Sequence, residues 1–260
     1  MMVNDTSFNI LVSYAHIGKK NTPYFEYIRE QSRLGKMDLM IDSGAFSKFG
    51  AQTKGNHNMD WITLDNYCSW LDKYEHDFHK YVMLDEIQND AQSKKNYEEM
   101  LKLGHNPMYV LTLFDKDYDF LNYAVGKNHE ICVAGGGRKT NYIYKRYLDV
   151  DKATNGKANI HSLAFFKFPD IYRLPILSSD AATWVNGSGR YGSMYAYQGN
   201  GCIQTITGHN QIMKAFKNRN KYLLQQFKET GVSIDDLRDR DNYQGSKLPL
   251  YTGCVAFVKA

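Results

Sequence analysis

Three observations predict an α/β chain whose parallel strands close into an eight-fold barrel. Short apolar runs alternate with amphipathic segments at intervals of ~25–40 residues, the pattern of a parallel sheet with helices outside it. About seven or eight such units fit within the 260 residues. Polar residues gather where the second, third, fifth and seventh runs stop, and a closed ring is what brings those ends together. The expected fold is therefore a single-domain (β/α)8 TIM-type barrel over 1–260, without a zinc subdomain. A doubly wound open sheet is the alternative.

Each element has a local reason. Phe8 to Ile17 opens on an apolar run and predicts the first strand. Thr22-Pro23 caps and starts a helix to about Leu34, stopped by Gly35. Leu39-Met40-Ile41 is the second strand, and 50–59 is a polar loop long enough to be a lid. Thr63 caps a helix to Tyr74 that carries Leu64, Tyr67, Cys68 and Leu71 at helical spacing. Tyr81 to Leu84 is the third strand, followed by a helix from about Ala91 to Leu103. Met108 to Phe114, Glu130 to Ala134, Ile160 to Phe166 and Pro175 to Ser179 continue the strands, with helices at Tyr118 to Val125 and Asn141 to Val150. Met194 to Tyr197 and Cys202 to Ile206 compete for the eighth strand. A helix over Asn210 to Thr230 and a strand at Tyr251 to Val258 complete the reading.

Composition narrows the class. With 43% hydrophobic and 23% charged residues the chain is an ordinary globular protein. No apolar run reaches the ~20 residues of a membrane span, and Met1 to Asp5 lacks the basic and apolar stretches of a secretory signal, so the expected location is the cytoplasm. Cys68, Cys132, Cys202 and Cys254 are widely spaced, which predicts reduced thiols and no structural zinc site. A net charge of +4 permits a phosphate-rich partner without demanding one.

The chemistry is expected at Asp42, Asp85 and Asp180. Leu39-Met40-Ile41, Tyr81-Val82-Met83-Leu84 and Pro175-Ile176-Leu177 each run into one of these acids. Singly, an Asp there can simply cap the next helix. Three on one rim repel unless a metal, a ligand or hydrogen-bond donors compensate. Apart from His16 no histidine falls at a matching position, which leaves carboxylate chemistry at a sugar carbon. One carboxylate would attack C1′ and another move the proton.

The order of these motifs resembles the tRNA-guanine transglycosylase family, and within it the short phage relatives that place 7-deazaguanine bases in DNA. Asp42-Ser43-Gly44-Ala45-Phe46 is similar to the family's Asp-Ser-Gly-Gly-aromatic signature, and Leu84-Asp85-Glu86 to its second acidic strand end. Ala134-Gly135-Gly136-Gly137 resembles its glycine-rich turn, and Ser179-Asp180 takes the place of its nucleophile. The resemblance spans about Leu39 to Trp184. It implies a cofactor-free base exchange on DNA, with tRNA as the alternative partner and a free 7-deazaguanine as the incoming base. Asp180 would attack C1′, and Asp42 would take a proton from the incoming base. Asp85 would accept from the base's N–H edge, with Ser43 and the amides around Gly135, Gly136 and Gly137 on its polar rim and Phe46 stacked on its face. Two departures stand out. The clustered cysteines of the tRNA-acting members are missing, and the fourth strand ends Leu111-Thr112-Leu113-Phe114-Asp115 where the family carries a base-reading glutamine. Arg138, Lys139, Lys145 and Arg146, interleaved with tyrosines, and Arg190 after the proposed nucleophile are the expected phosphate contacts. A non-catalytic nucleic-acid-binding barrel is the contrasting class.

Overall fold

The structure is a computed structural model and describes residues 8–112, 115–134, 140–164, 173–180, 193–199, 202–207 and 209–230. The chain groups into two compact units. One holds the residues up to Leu163 together with Pro175–Ser178, and the other holds Ala164–Leu174 and the residues from Ser179 onward.

The first unit alternates strand and helix. Its order is β1 (Phe8–Ser13), α1 (Tyr14–Ile17), α2 (Pro23–Arg33), β2 (Met37–Asp42), α3 (Ala45–Gln52) and α4 (Leu64–Tyr74). There follow β3 (Lys80–Tyr81), α5 (Asp90–Lys102), β4 (Tyr109–Leu111), α6 (Tyr118–Lys127), β5 (Glu130–Ala134), α7 (Thr140–Ala153) and β6 (Asn159–Leu163). The strands β1-β2-β3 form one sheet, and β4-β5-β6 continue to β7 (Ser178–Ser179) in a second. A parallel bridge between Val82 and Met108 links the two sheets. Met108 N donates to Tyr81 O at 2.8 Å and Met83 N to Met108 O at 3.0 Å. The strands therefore follow one another in chain order with no reversal, whereas a doubly wound sheet reverses at its switch point.

Local chemistry explains most boundaries. Thr22 Oγ1 accepts from Phe25 N at 3.2 Å, Pro23 opens α2, and Gly35 leaves it with φ +65°. Thr63, Asn89 and Asp117 cap α4, α5 and α6 by accepting from Asn66, Gln92 and Phe120. In β5, Ile131, Cys132 and Val133 are all buried, as parallel strands covered on both faces require. Buried Cys68 and Cys132 carry free thiols.

Several boundaries differ from expectation. The apolar run after Phe8 stops pairing at Ser13, and Tyr14–Ile17 turns into α1. The start of the expected lid loop, up to Gln52, belongs to α3, because Gly44 adopts a left-handed φ of +81° and launches a helix directly from β2. The third strand is two residues long, so Met83 and Leu84 reach Asp85 as buried chain beyond the ladder.

The second unit contains a hairpin and two helices. Strands β8 (Ser193–Gly199) and β9 (Cys202–Thr207), the two candidates for an eighth parallel strand, pair antiparallel with each other. The expected single helix over 210–230 is two, α8 (His209–Lys217) and α9 (Lys221–Thr230). The break follows from Arg219, at φ +54°, and from Asn220, whose Oδ1 accepts from Tyr222 N and Leu223 N at 3.1 and 3.0 Å. Ile206, Ile212, Leu223 and Phe227 form its core. The expected strand at Tyr251 to Val258 lies outside the described residues. Among the described residues no helix is long and apolar enough to cross a membrane.

A buried ion pair fastens α2 to the turn after α4. Arg29 Nε donates to Asp77 Oδ2 at 2.6 Å, and the Asp77 side chain is wholly inaccessible to solvent. The Arg29 guanidinium also lies 4.3 Å from the Tyr74 ring centroid. Asp77→Ala leaves the buried Arg29 with only the half-exposed Glu26 as an acid partner and is expected to cost about 3 kcal/mol of stability in urea unfolding, more than an exposed pair would.

Candidate active site

Asp42 ends β2 opposite Ser13 of β1 and is half-buried. The turn behind it is self-bonded: Gly44 N donates to Asp42 Oδ2 at 3.1 Å and Ala45 N to Ser43 Oγ at 3.5 Å. Gly44 cannot be replaced cheaply. Besides its positive φ, a Cβ there would lie 2.9 Å from both the Cβ and the backbone N of Ala15. This close approach sets α1 against the Asp42 turn. Ser43 is only 1% exposed, so its hydroxyl serves the start of α3 instead of standing on an open rim. Phe46, one residue into that helix, is 75% exposed, an unusual position for a phenylalanine and the opposite of core packing.

Asp85 arrives from the neighbouring strand. Val82 N donates to Ile41 O at 2.8 Å, so the chain leading to Asp85 continues the ladder beside Asp42. Asn96 Nδ2 holds Leu84 O at 3.0 Å and Ser93 Oγ accepts from Glu86 N at 2.8 Å, which fixes the segment on α5. Lys48 of α3 pairs with Glu86 at 3.1 Å and spans the two acidic strand ends. Burial pushes the Asp85 carboxyl up to about 7, and the negative charge of Asp42 adds to the rise. Two carboxyls on adjacent strand ends thus differ in character, one near solvent and one held toward its neutral form.

The fourth strand's end is a closed polar network. Thr112 Oγ1 donates to Asp90 Oδ1 at 2.5 Å, which occupies the hydroxyl offered in place of the family's glutamine. Buried Asp115 accepts from Tyr109 OH at 3.0 Å, Lys94 Nζ at 3.3 Å and Asp117 N at 2.9 Å. Arg146 corrects the expectation of a phosphate contact. It is 7% exposed, and its Nη2 donates to Thr112 O at 2.9 Å and to Asp115 O. It faces inward because α7 packs on this network, where the guanidinium satisfies carbonyls that have left the strand ladder. Lys145 is on the exposed side and pairs with Asp149 at 2.6 Å.

Asp180 follows β7 and belongs to the second unit. Its Oδ1 accepts from Ala164 N at 3.0 Å, where Ala164 has a φ of +54°. Gly135, Gly136, Gly137, Arg138, Lys139 and Arg190 lie outside the described residues. Among the described residues no group of three or more His, Cys, Asp or Glu side chains is placed to hold a metal ion. Lys48, Ser93 and Asn96 went unnoticed in the sequence. The signal was faint: a lysine four residues after Gly44, and two small polar residues on the inner face of a helix.

Neither a protein-family model nor a curated protein sequence matches the chain. Among solved structures, the tryptophan synthase alpha chain from Legionella pneumophila subsp. pneumophila is similar over 97% of this chain and 91% of its own, at 11% identity and a TM-score of 0.39.

Gly44→Ala forces a side chain into left-handed backbone against Ala15, so a loss of at least about 1–2 kcal/mol is expected in urea unfolding. The Asp85 shift carries its own pH signature. Its carboxyl is raised to about 7 in the folded chain and stands near 3.9 when unfolded. The folded state therefore holds the extra proton. The stability this group contributes is complete below about pH 4 and is lost as pH rises toward 7, by up to about 4 kcal/mol. In Asp85→Asn that decline disappears, so denaturation midpoints across pH 4–8 should run flatter than in the parent.

Proposed function

We propose that the chain is a base-exchange glycosyltransferase that replaces guanine in DNA with a 7-deazaguanine through a covalent aspartyl-glycosyl intermediate. The observation that carries this reading is the pairing of Asp42 with a buried, proton-retaining Asp85 on neighbouring strand ends, beside an exposed Phe46. Base exchange needs one carboxylate to move a proton, another to grip the N–H edge of a purine, and a flat apolar surface for its face. Those three groups sit within one turn and the adjacent strand end. The fold belonging to this reading is a closed (β/α)8 barrel, supported by strands that follow in chain order without reversal.

In this mechanism the Asp180 carboxylate attacks C1′ of the target guanosine. The C1′–N9 bond breaks, the departing guanine takes a proton from solvent water, and a glycosyl–aspartate remains. The incoming base then gives its N9 proton to Asp42 while that nitrogen attacks C1′ and releases Asp180. Two inversions retain the stereochemistry. Asp85 accepts from the base's N–H donors, which favour the charged carboxylate, so base binding expels the proton that burial had retained. DNA is preferred to tRNA because the four widely spaced cysteines supply no tRNA-type zinc module. The acids speak against a purely binding role, since carboxylates facing phosphates weaken a complex.

Mass spectrometry of nucleosides from duplex DNA incubated with protein and a 7-deazaguanine is expected to detect the modified nucleoside. Incorporation into tRNA alone would sink the DNA assignment. Asp180→Asn should abolish exchange and the trapped protein–DNA adduct, whereas Asp42→Ala should still form adduct. Full turnover by the Asp180 variant would remove it as nucleophile. Affinity for the free base, followed by calorimetry, should fall about tenfold per pH unit below 7 and level off above it. Asp85→Asn should bind weakly at every pH.

A further inference from the structure

Apart from the two acids, the first unit carries a second concavity of about 460 Å³ between α1, α2 and α4, a size typical of small-molecule sites. Its walls are aromatic. Tyr14 packs 5.0 Å from both Trp61 and Trp70, ring centroid to ring centroid, and Phe25 stacks on Trp70 at 5.7 Å. Trp61 is half-buried, leaving part of its ring open to a ligand, whereas the Tyr74 ring is taken up by Arg29, Trp70 and Phe25 and backs the wall. The cavity is braced from behind. Tyr14 OH donates to Asn66 O at 3.1 Å, and Asn66 Nδ2 donates to Trp61 O at 2.8 Å, fixing the rings to one another through α4. Gly18 is required there, since a Cβ would fall 2.2 Å from the Tyr14 ring.

The charges at this cavity are one-sided. Its lining includes Lys19 and Lys73, both exposed, and no carboxylate. Lys19 Nζ lies over the Trp61 ring, 5.2 Å from its centroid, which brings a cation onto the aromatic wall. Glu26, outside the lining, accepts from Asn21. Ser69 adds an exposed hydroxyl on the same face of α4 as Lys73.

We propose that this cavity binds a free mononucleotide, with the base against the Trp61 ring and the phosphate held by Lys19 and Lys73. An aromatic surface without a cation suits any planar apolar molecule, and lysines without rings suit any anion. A flat group joined to a phosphate by a short polar spacer satisfies both at once. The site is separate from Asp42 and Asp85, and its occupancy does not depend on the base-exchange reading.

The test is a titration of the full chain with AMP, whose base is not guanine, followed through tryptophan fluorescence. Saturable quenching is expected, with adenosine binding at least about tenfold more weakly for lack of the phosphate. Lys19→Glu/Lys73→Glu should weaken AMP at least about tenfold while the urea midpoint stays put, since both side chains are exposed. Trp61→Ala should remove the quenching. No saturable quenching, equal affinity for adenosine, or parental affinity in the lysine variant would overturn the site. A short single-stranded oligonucleotide binding more tightly than AMP, and lost in the same variant, would overturn the assignment to a free nucleotide. These readouts involve no base exchange, so their failure leaves that reading standing, and the reverse holds.

Discussion

The constraint on which the candidate site depends is the parallel ladder that sets β2 beside β3. In a parallel pair both chains run the same way, so both C-terminal ends open on the same edge. Asp42 and Asp85 therefore arrive as neighbours whatever their side chains prefer. Two carboxyls so placed resist simultaneous ionisation, and burial decides which one yields. Burial raises the Asp85 carboxyl toward its neutral form, while Asp42 is nearer solvent with Gly44 N on its oxygen. One ladder and one difference in depth thus put two identical side chains in unlike surroundings.

The surroundings maintain that difference. The Lys48–Glu86 pair draws α3 toward the Asp85 segment and offsets the negative charge next to it. Gly44 lets α3 begin without a linker, which brings Phe46 to the surface just past Asp42. Further along, Arg146 and Asp115 close the end of β4 with hydrogen bonds, so that strand end is built for rigidity and contributes no open acid. The strand ends of the first unit are thus divided between an acidic pair and a satisfied network. This division suits a site that needs its two acids held still.

The aromatic cavity beside α1 shows a different economy of design. Tyr14 and Ala15 are adjacent in one short helix. Tyr14 forms part of the cavity wall, and Ala15 abuts Gly44 of the acidic turn. One four-residue helix therefore borders two environments of opposite character, one lined by rings and lysines and one by carboxyls. Of the 20 tyrosines, Tyr14, Tyr67 and Tyr74 belong to this aromatic cluster, and Tyr97 packs on Tyr109 elsewhere in the core.

Much of this was legible in the residues alone. The apolar runs, the caps at Thr22 and Thr63 and the stop at Gly35 carry their own chemistry, and the helices they predict are present. That Asp42 and Asp85 would share an edge also followed, because alternation of strand and helix implies parallel pairing. What no local pattern contains is depth. Whether Arg146 faces solvent or a carbonyl cage, whether Ser43 is on a rim or beneath it, and how far burial lifts Asp85 depend on atoms distant in the chain. The break at Arg219 and the antiparallel pairing of β8 with β9 were likewise set by partners across the fold. Sequence determined which groups could react and where the strands would end. Tertiary structure decided which of those groups water can reach, since desolvation is a property of the assembled neighbourhood and not of any one residue.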